Sequence, residues 1–261
     1  MYLLSFFLIL MAGVMSAMSQ GPSHVFLLAG QSNMSGRGGV INDTKTNNLI
    51  WDGQVPPEST PNPNILTLDL DKTWKVAQEP LHRQLDRMKS CGIGPGMPFA
   101  HEILAKDPSF GAIGLVPCAM GGTKIAQWQK GTALYNLLVT RARTAIQSGG
   151  KLQGLLWYQG ESDCGEQEYE LYKARTETFF TDLRVDLNIP DLPIIMVVIA
   201  SAEGNYMDAV RNAEMSIKLK NVLIVDAMGS TFIQDQKHLD TVSQIRLGQK
   251  LADKFLSSFP H

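Results

Sequence analysis

The chain has 261 residues, 44% of them hydrophobic and 18% charged, with a formal net charge of −2. That composition suits a folded domain with a sizeable core, and the near-neutral balance leaves no electrostatic footprint for nucleic acid or an anionic membrane surface. Three cysteines, Cys91, Cys118 and Cys164, allow at most one bridge, and no His/Cys/Asp cluster has zinc-site spacing, so no metal or other cofactor is expected.

Residues 2–15, YLLSFFLILMAGVM, are almost wholly apolar and run into the small-residue stretch SAMSQG. This pattern predicts a secretory signal peptide over residues 1–19, cut after Ser19, because Ala17 and Ser19 are both small. The run falls short of the ~20 apolar residues of a membrane span. The expectation is therefore a secreted domain over residues 20–261 with no stable membrane association once the leader is removed. No Lys or Arg precedes the apolar run, which keeps an uncleaved extension on a cytoplasmic protein as the alternative. The sequence specifies no oligomeric state.

Past this leader, HVFLLAG (24–30) predicts a buried strand, and residues 38–96 form a long segment rich in Pro, Gly, Asn and Asp. From there helices over 97–106, 133–147, 168–187, 207–219 and 241–259 alternate with strands over 110–117, 152–160, 192–200 and 221–227. Short apolar strands alternating with helices imply βαβ units. The expected fold is a three-layer α/β/α sandwich on a five-stranded parallel, flavodoxin-like sheet, with its crevice at the carboxyl ends of the strands. The 38–96 segment is too long for an ordinary connection and is expected to wall that crevice.

The first strand delivers GQSNM (30–34) to the crevice edge, which makes Ser32 a candidate nucleophile. A serine needs a base to take its proton, and the base needs a carboxylate to hold its tautomer. Of five histidines, His24 lies at the wrong end of its strand, His82 in the long segment, His101 within a helix and His261 at the terminus. His238 follows the last strand, and Asp235 precedes it by three residues in QDQKHLD, with Asp240 the next candidate acid. Two further turns end at the same edge. CAMGGTKIAQW (118–128) carries the Gly121–Gly122 pair, and WYQGESD (157–163) carries Gln159. The expected oxyanion donors are the Ser32 N–H, the Gly122 N–H and the Gln159 amide. GQSNM lacks the second glycine of a G-x-S-x-G elbow, and the acid and base lie together near the C-terminus, which argues against an α/β-hydrolase.

The blocks GQSNM, GGTKIAQW, LLWYQGESD and DQKHL resemble those of the SGNH-hydrolase superfamily. More narrowly, with WDGQVPPE, EPLH and GIGPGM, the chain resembles the plant carbohydrate esterases related to sialate O-acetylesterases, the SASA domain. The resemblance implies a serine esterase acting on acetylated carbohydrate, with Ser32 as nucleophile and Asp235 and His238 completing the triad. Many superfamily members carry Asn in the third block where this chain has Gln159. A binding protein that keeps the cleft without turnover is the alternative.

Other polar residues admit two readings. Glu161 and Asp163 form a possible glycosidase pair or brace their own turn, and Trp128 and Trp157 stack on sugar or fill the core. Arg37 and Lys124 touch substrate or are solvated. Asn33 begins a sequon too close to Ser32 to be modified, so Asn42 is the better glycosylation candidate.

Overall fold

The computed structural model describes residues 21–259, so the leader expected over 1–19 lies outside the described residues. In chain order the elements are β1 (His24–Gly30), α1 (Ser32–Ser35), β2 (Val40–Asp43), β3 (Asn48–Trp51), β4 (Ile65–Leu68), β5 (Trp74–Val76), α2 (Gly96–Lys106), β6 (Ile113–Pro117), α3 (Ala133–Gln147), β7 (Lys151–Tyr158), α4 (Tyr169–Leu187), β8 (Ile194–Val198), α5 (Met207–Met215), β9 (Val222–Asp226) and α6 (Thr241–Ser258).

Residues 25–30 of β1 are all buried, which explains why that strand reads as an unbroken apolar run instead of an alternation. The five predicted strands are parallel neighbours in the order β6-β1-β7-β8-β9. The main sheet nevertheless has seven strands. β4 adds in parallel to β6, and β5 closes that edge antiparallel to β4. At four and three residues, both strands are too short to show a period against the Pro- and Asn-rich segment around them. β2 and β3 form a separate antiparallel hairpin.

Helices α2 and α6 pack together on one side of the sheet, and α3, α4 and α5 form the other layer. Phe26 of β1 meets Phe99 and Phe255 edge-on, with ring centroids 4.8 and 5.0 Å away. In the other layer Trp157 packs against Trp128 and Phe179 at 5.2 and 4.7 Å. Such pairs add roughly 0.5–1.5 kcal/mol each to the burial of their area. Both tryptophans are fully buried, so they fill the core and do not stack on sugar. The three cysteines are buried and free.

The sheet order also places the crevice. From β1 the chain builds out to β6 on one side, then crosses to β7 on the other. The switch point is the carboxyl end of β1, where ligands bind in open α/β sheets. Residues 31–36 begin there.

Candidate active site

Gly30 ends β1 with φ at +127°, and a Cβ on it would lie 2.0 Å from the Tyr158 carbonyl oxygen. Only glycine lets β1 close this tightly on β7. The Gln31 N–H still donates to that carbonyl at 2.8 Å, and the chain then turns into α1 with Ser32 as its first residue. The Ser32 N–H thus belongs to the first helical turn, whose donors have no partner within the helix.

Ser32 Oγ lies 2.9 Å from His238 Nε2, and His238 Nδ1 lies 2.5 Å from Asp235 Oδ2. The other Asp235 oxygen accepts the backbone N–H groups of Lys237 at 2.9 Å and His238 at 3.0 Å. Asp235 therefore caps its turn with one oxygen and faces the imidazole with the other. Burial opposes its ionisation, but the His238 N–H, the His238 ring and the Lys237 N–H outweigh burial and hold the carboxyl below its ordinary 3.8. An ionised Asp235 keeps the proton on Nδ1, which leaves Nε2 to accept from Ser32. Asp240 serves elsewhere: it caps α6 through the Ser243 N–H and accepts from the Thr231 hydroxyl.

The glycine turn after β6 is held from below by a buried ion pair. Arg37 Nη2 contacts Asp86 Oδ2 at 2.5 Å, and the same oxygen accepts the Gly121 N–H at 3.1 Å. Asp86 comes from the long segment, so that segment supports the site through its interior. Arg37 is a buried structural cation and not a substrate contact. A Cβ on Gly121 would lie 3.4 Å from the Ser32 Cβ, which sets this turn against the serine. With Gly121 engaged by Asp86, the neighbouring Gly122, at φ +72°, keeps a backbone N–H that makes no hydrogen bond among the described residues.

Gln159 differs from its expected role. It is fully buried, and its Nε2 donates to Asp163 Oδ2 at 2.5 Å, Thr123 O at 2.9 Å and Gln31 Oε1 at 3.3 Å. An amide nitrogen carries two hydrogens, so none is left for an oxyanion. Gln31 lies against that amide. Its Oε1 is held by Gln159 and by the Ser162 N–H at 3.4 Å, while its Nε2 makes no hydrogen bond among the described residues. The free amide donor beside Ser32 is the one preceding it in the chain. The sequence signal was the Gln31–Ser32 adjacency, but which of two glutamines is free depends on contacts 128 residues apart.

The remaining candidates are structural. Glu161 and Asp163 are buried and occupied, Glu161 by Asn33 Nδ2 at 2.7 Å and Asp163 by Ile125 N at 2.9 Å and by Gln159, so they do not flank an open bond. Burial pushes their carboxyls up to about 7 and about 6. Lys124 pairs with Glu168 on the surface. His82 is buried and pulled down to about 4 by burial, and His101 bonds the Thr60 carbonyl. No group of three or more His, Cys, Asp or Glu among the described residues could hold a metal ion. A cavity of about 440 Å³ between the end of β4 and residues 78–85 is not lined by any of Ser32, Asp235 and His238. Ser32, His238 and Asp235 instead meet at the carboxyl end of β1, away from that cavity.

The family model for a carbohydrate esterase, sialic acid-specific acetylesterase (SASA) matches residues 22–257. The chain is 46% identical over 240 residues to a probable carbohydrate esterase of Arabidopsis thaliana, At4g34215, covering 91% of this chain and 92% of that one. The crystal structure of that Arabidopsis protein superposes with a TM-score of 0.88 over 91% of this chain and 99% of that one. NanS shares the fold at a TM-score of 0.68 and 17% identity, over 91% of this chain and 98% of that one. A carbohydrate acetylesterase from Xanthomonas citri shares it at 0.61 and 17%, over 88% of this chain and 55% of that one.

Proposed function

This chain belongs to the SASA family of carbohydrate esterases, and on that premise we propose that it is a serine esterase that removes O-acetyl groups from carbohydrate. One observation carries the reading: a continuous hydrogen-bonded chain from Ser32 Oγ through the His238 ring to Asp235, at 2.9 and 2.5 Å.

In this reading Ser32 Oγ attacks the ester carbonyl carbon as His238 Nε2 takes its proton. The carbonyl oxygen becomes an oxyanion and accepts from the Ser32 N–H, the Gly122 N–H and Gln31 Nε2. Donors that are fixed before the reaction stabilise the new charge with little reorganisation. Asp235 stabilises the imidazolium. The intermediate collapses as His238 returns the proton to the leaving sugar oxygen, which frees the alcohol and leaves an acetyl-serine. Water then attacks the acetyl carbon with His238 again as base, and acetate departs as Ser32 regains its hydrogen.

The test is acetate release by purified residues 20–261 from acetylated xylan, acetylated pectin and p-nitrophenyl acetate, alongside Ser32→Ala. Loss of turnover in the variant to near the uncatalysed rate is expected. Equal rates in both proteins would remove the serine-esterase reading. Retention of sugar with no acetate release by either would favour a binding role.

A further inference from the structure

The triad accounts for Ser32, Asp235 and His238, but it does not explain why the next residue, Asn33, is buried with its whole side chain engaged. Asn33 is 1% exposed. Its Nδ2 donates to Glu161 Oε1 at 2.7 Å and to the Lys237 carbonyl at 3.3 Å. Its Oδ1 accepts the Leu239 N–H at 2.9 Å. One amide therefore holds the backbone on both sides of His238, from a position adjacent to the nucleophile in the chain. Its two donor hydrogens and its acceptor are all used.

The amide can do this in only one orientation. A flipped amide would aim its oxygen at the Lys237 carbonyl and its nitrogen at the Leu239 N–H, acceptor to acceptor and donor to donor. Glu161 selects the productive orientation, because its oxygen accepts and so demands the nitrogen. Glu161 is 3% exposed, and its second oxygen has no hydrogen-bond partner within the described residues. Keeping a carboxyl there at that cost makes sense if its acceptor is needed.

We propose that Asn33 and Glu161 are a positioning pair that sets the His238 ring against Ser32, with Glu161 orienting Asn33 and Asn33 clamping residues 237–239. This rests on the esterase reading above. Neither residue touches the reacting atoms. Besides the Asp235 cap within the turn itself, the His238 turn is tied by the Ser201 hydroxyl on the Lys237 carbonyl, at 2.6 Å, and by bonds to the 231–233 segment such as the Ile233 N–H on the His238 carbonyl, at 2.8 Å. None of these reaches back to the nucleophile's own turn. The Asn33 clamp ties the base directly to that turn.

Displacement of a catalytic group by ~1 Å can lower rate by ~10²-fold, so Asn33→Ala is expected to lower kcat on p-nitrophenyl acetate by ~10–100-fold with KM nearly unchanged. Asn33→Asp keeps the shape but turns an acceptor toward the Lys237 carbonyl and Glu161, and should lose as much. Were volume all that mattered, Asn33→Asp would keep the wild-type rate. Because residues that act as a unit are non-additive, Asn33→Ala should cost little further in a His238→Ala background. A full extra loss there would overturn the proposal. If the Asn33 variants do not fold, Glu161→Ala against Glu161→Gln decides, since Gln keeps the acceptor and should restore most of the kcat that Ala loses. Equal losses in those two would also overturn it. Ser32→Ala separates the layers. If it is inactive while Asn33→Ala runs at the wild-type rate, only the positioning role fails; if Ser32→Ala is itself active, the esterase reading fails.

Discussion

Replacing Asp235 by Asn separates the two tasks that the structure gives its carboxylate. Oδ1 receives two backbone N–H groups, and an Asn oxygen in that position caps about as well. The Asn nitrogen must then sit where Oδ2 faced Nδ1 at 2.5 Å, and it presents hydrogen where the imidazole also presents hydrogen. The ring answers by moving its proton to Nε2, the atom that must accept from Ser32. The imidazolium of the transition state loses its counter-charge as well. Two unit charges ~4 Å apart near a protein surface interact by ~4 kcal/mol. That figure is an upper bound here, because the His238 and Asp235 side chains are 23% and 35% exposed and water screens them. Asp235→Asn should therefore lower kcat by ~10²–10³, about 2.7–4 kcal/mol in the barrier, within the ~10²–10⁴ that general-base catalysis supplies. KM and the melting temperature should change little, since the cap survives. Steady-state hydrolysis of p-nitrophenyl acetate with a parallel thermal melt measures all three. Retention of more than about half the wild-type kcat would refute the reasoning and leave Asp235 a cap beside a Ser32–His238 dyad.

Two other expectations follow from the side chains around the sheet edge. In the proposed reaction Gln31→Ala removes an oxyanion donor and should lower kcat by ~10²–10³ with KM little changed, whereas Gln159→Ala should cost less because the Ser162 N–H still holds Gln31; the reverse ranking would return the donor role to Gln159. The third concerns pH. Burial pushes the Glu79 carboxyl up to about 8, so its contribution to stability is full below its ordinary 4.5 and is lost as pH rises through about 8. Burial pulls His82 down to about 4, so its contribution is lost in acid and is already full above its ordinary 6.5. Between pH ~6.5 and ~8, stability should therefore fall, by up to ~1.4 kcal/mol per pH unit for each such carboxyl, the raised Glu161 and Glu214 included, and Glu79→Gln should remove one share of that fall. Thermal melts across this range that show no fall, or the same fall in the variant, would contradict it.

Local physics wrote much of this protein into its sequence. A strand covered on both faces must be apolar along its length, so β1, β6, β7, β8 and β9 were visible as runs, and the helices between them by their spacing. The helix predicted over 207–219 stops at Met215, so even there only the boundary moved. The candidate triad was legible for a related reason. Asp235 and His238 are three residues apart on one turn, and Ser32 ends a strand whose direction and order follow from the βαβ pattern. Tertiary structure decided what depends on contacts between distant segments. β4 and β5 are strands because β6 offers an unpaired edge, not because four or three residues prefer that state. Trp128 is core because Trp157 lies opposite it. Asp86 became the partner of Arg37 and the glycine turn only when residues 38–96 folded back over the sheet edge. Gln31 and Gln159 have the same side chain, and each lies at the end of a strand. One is left free to donate and the other is not, because a buried amide's role is set by which acceptors the fold places around it. No spacing within either segment carries that information.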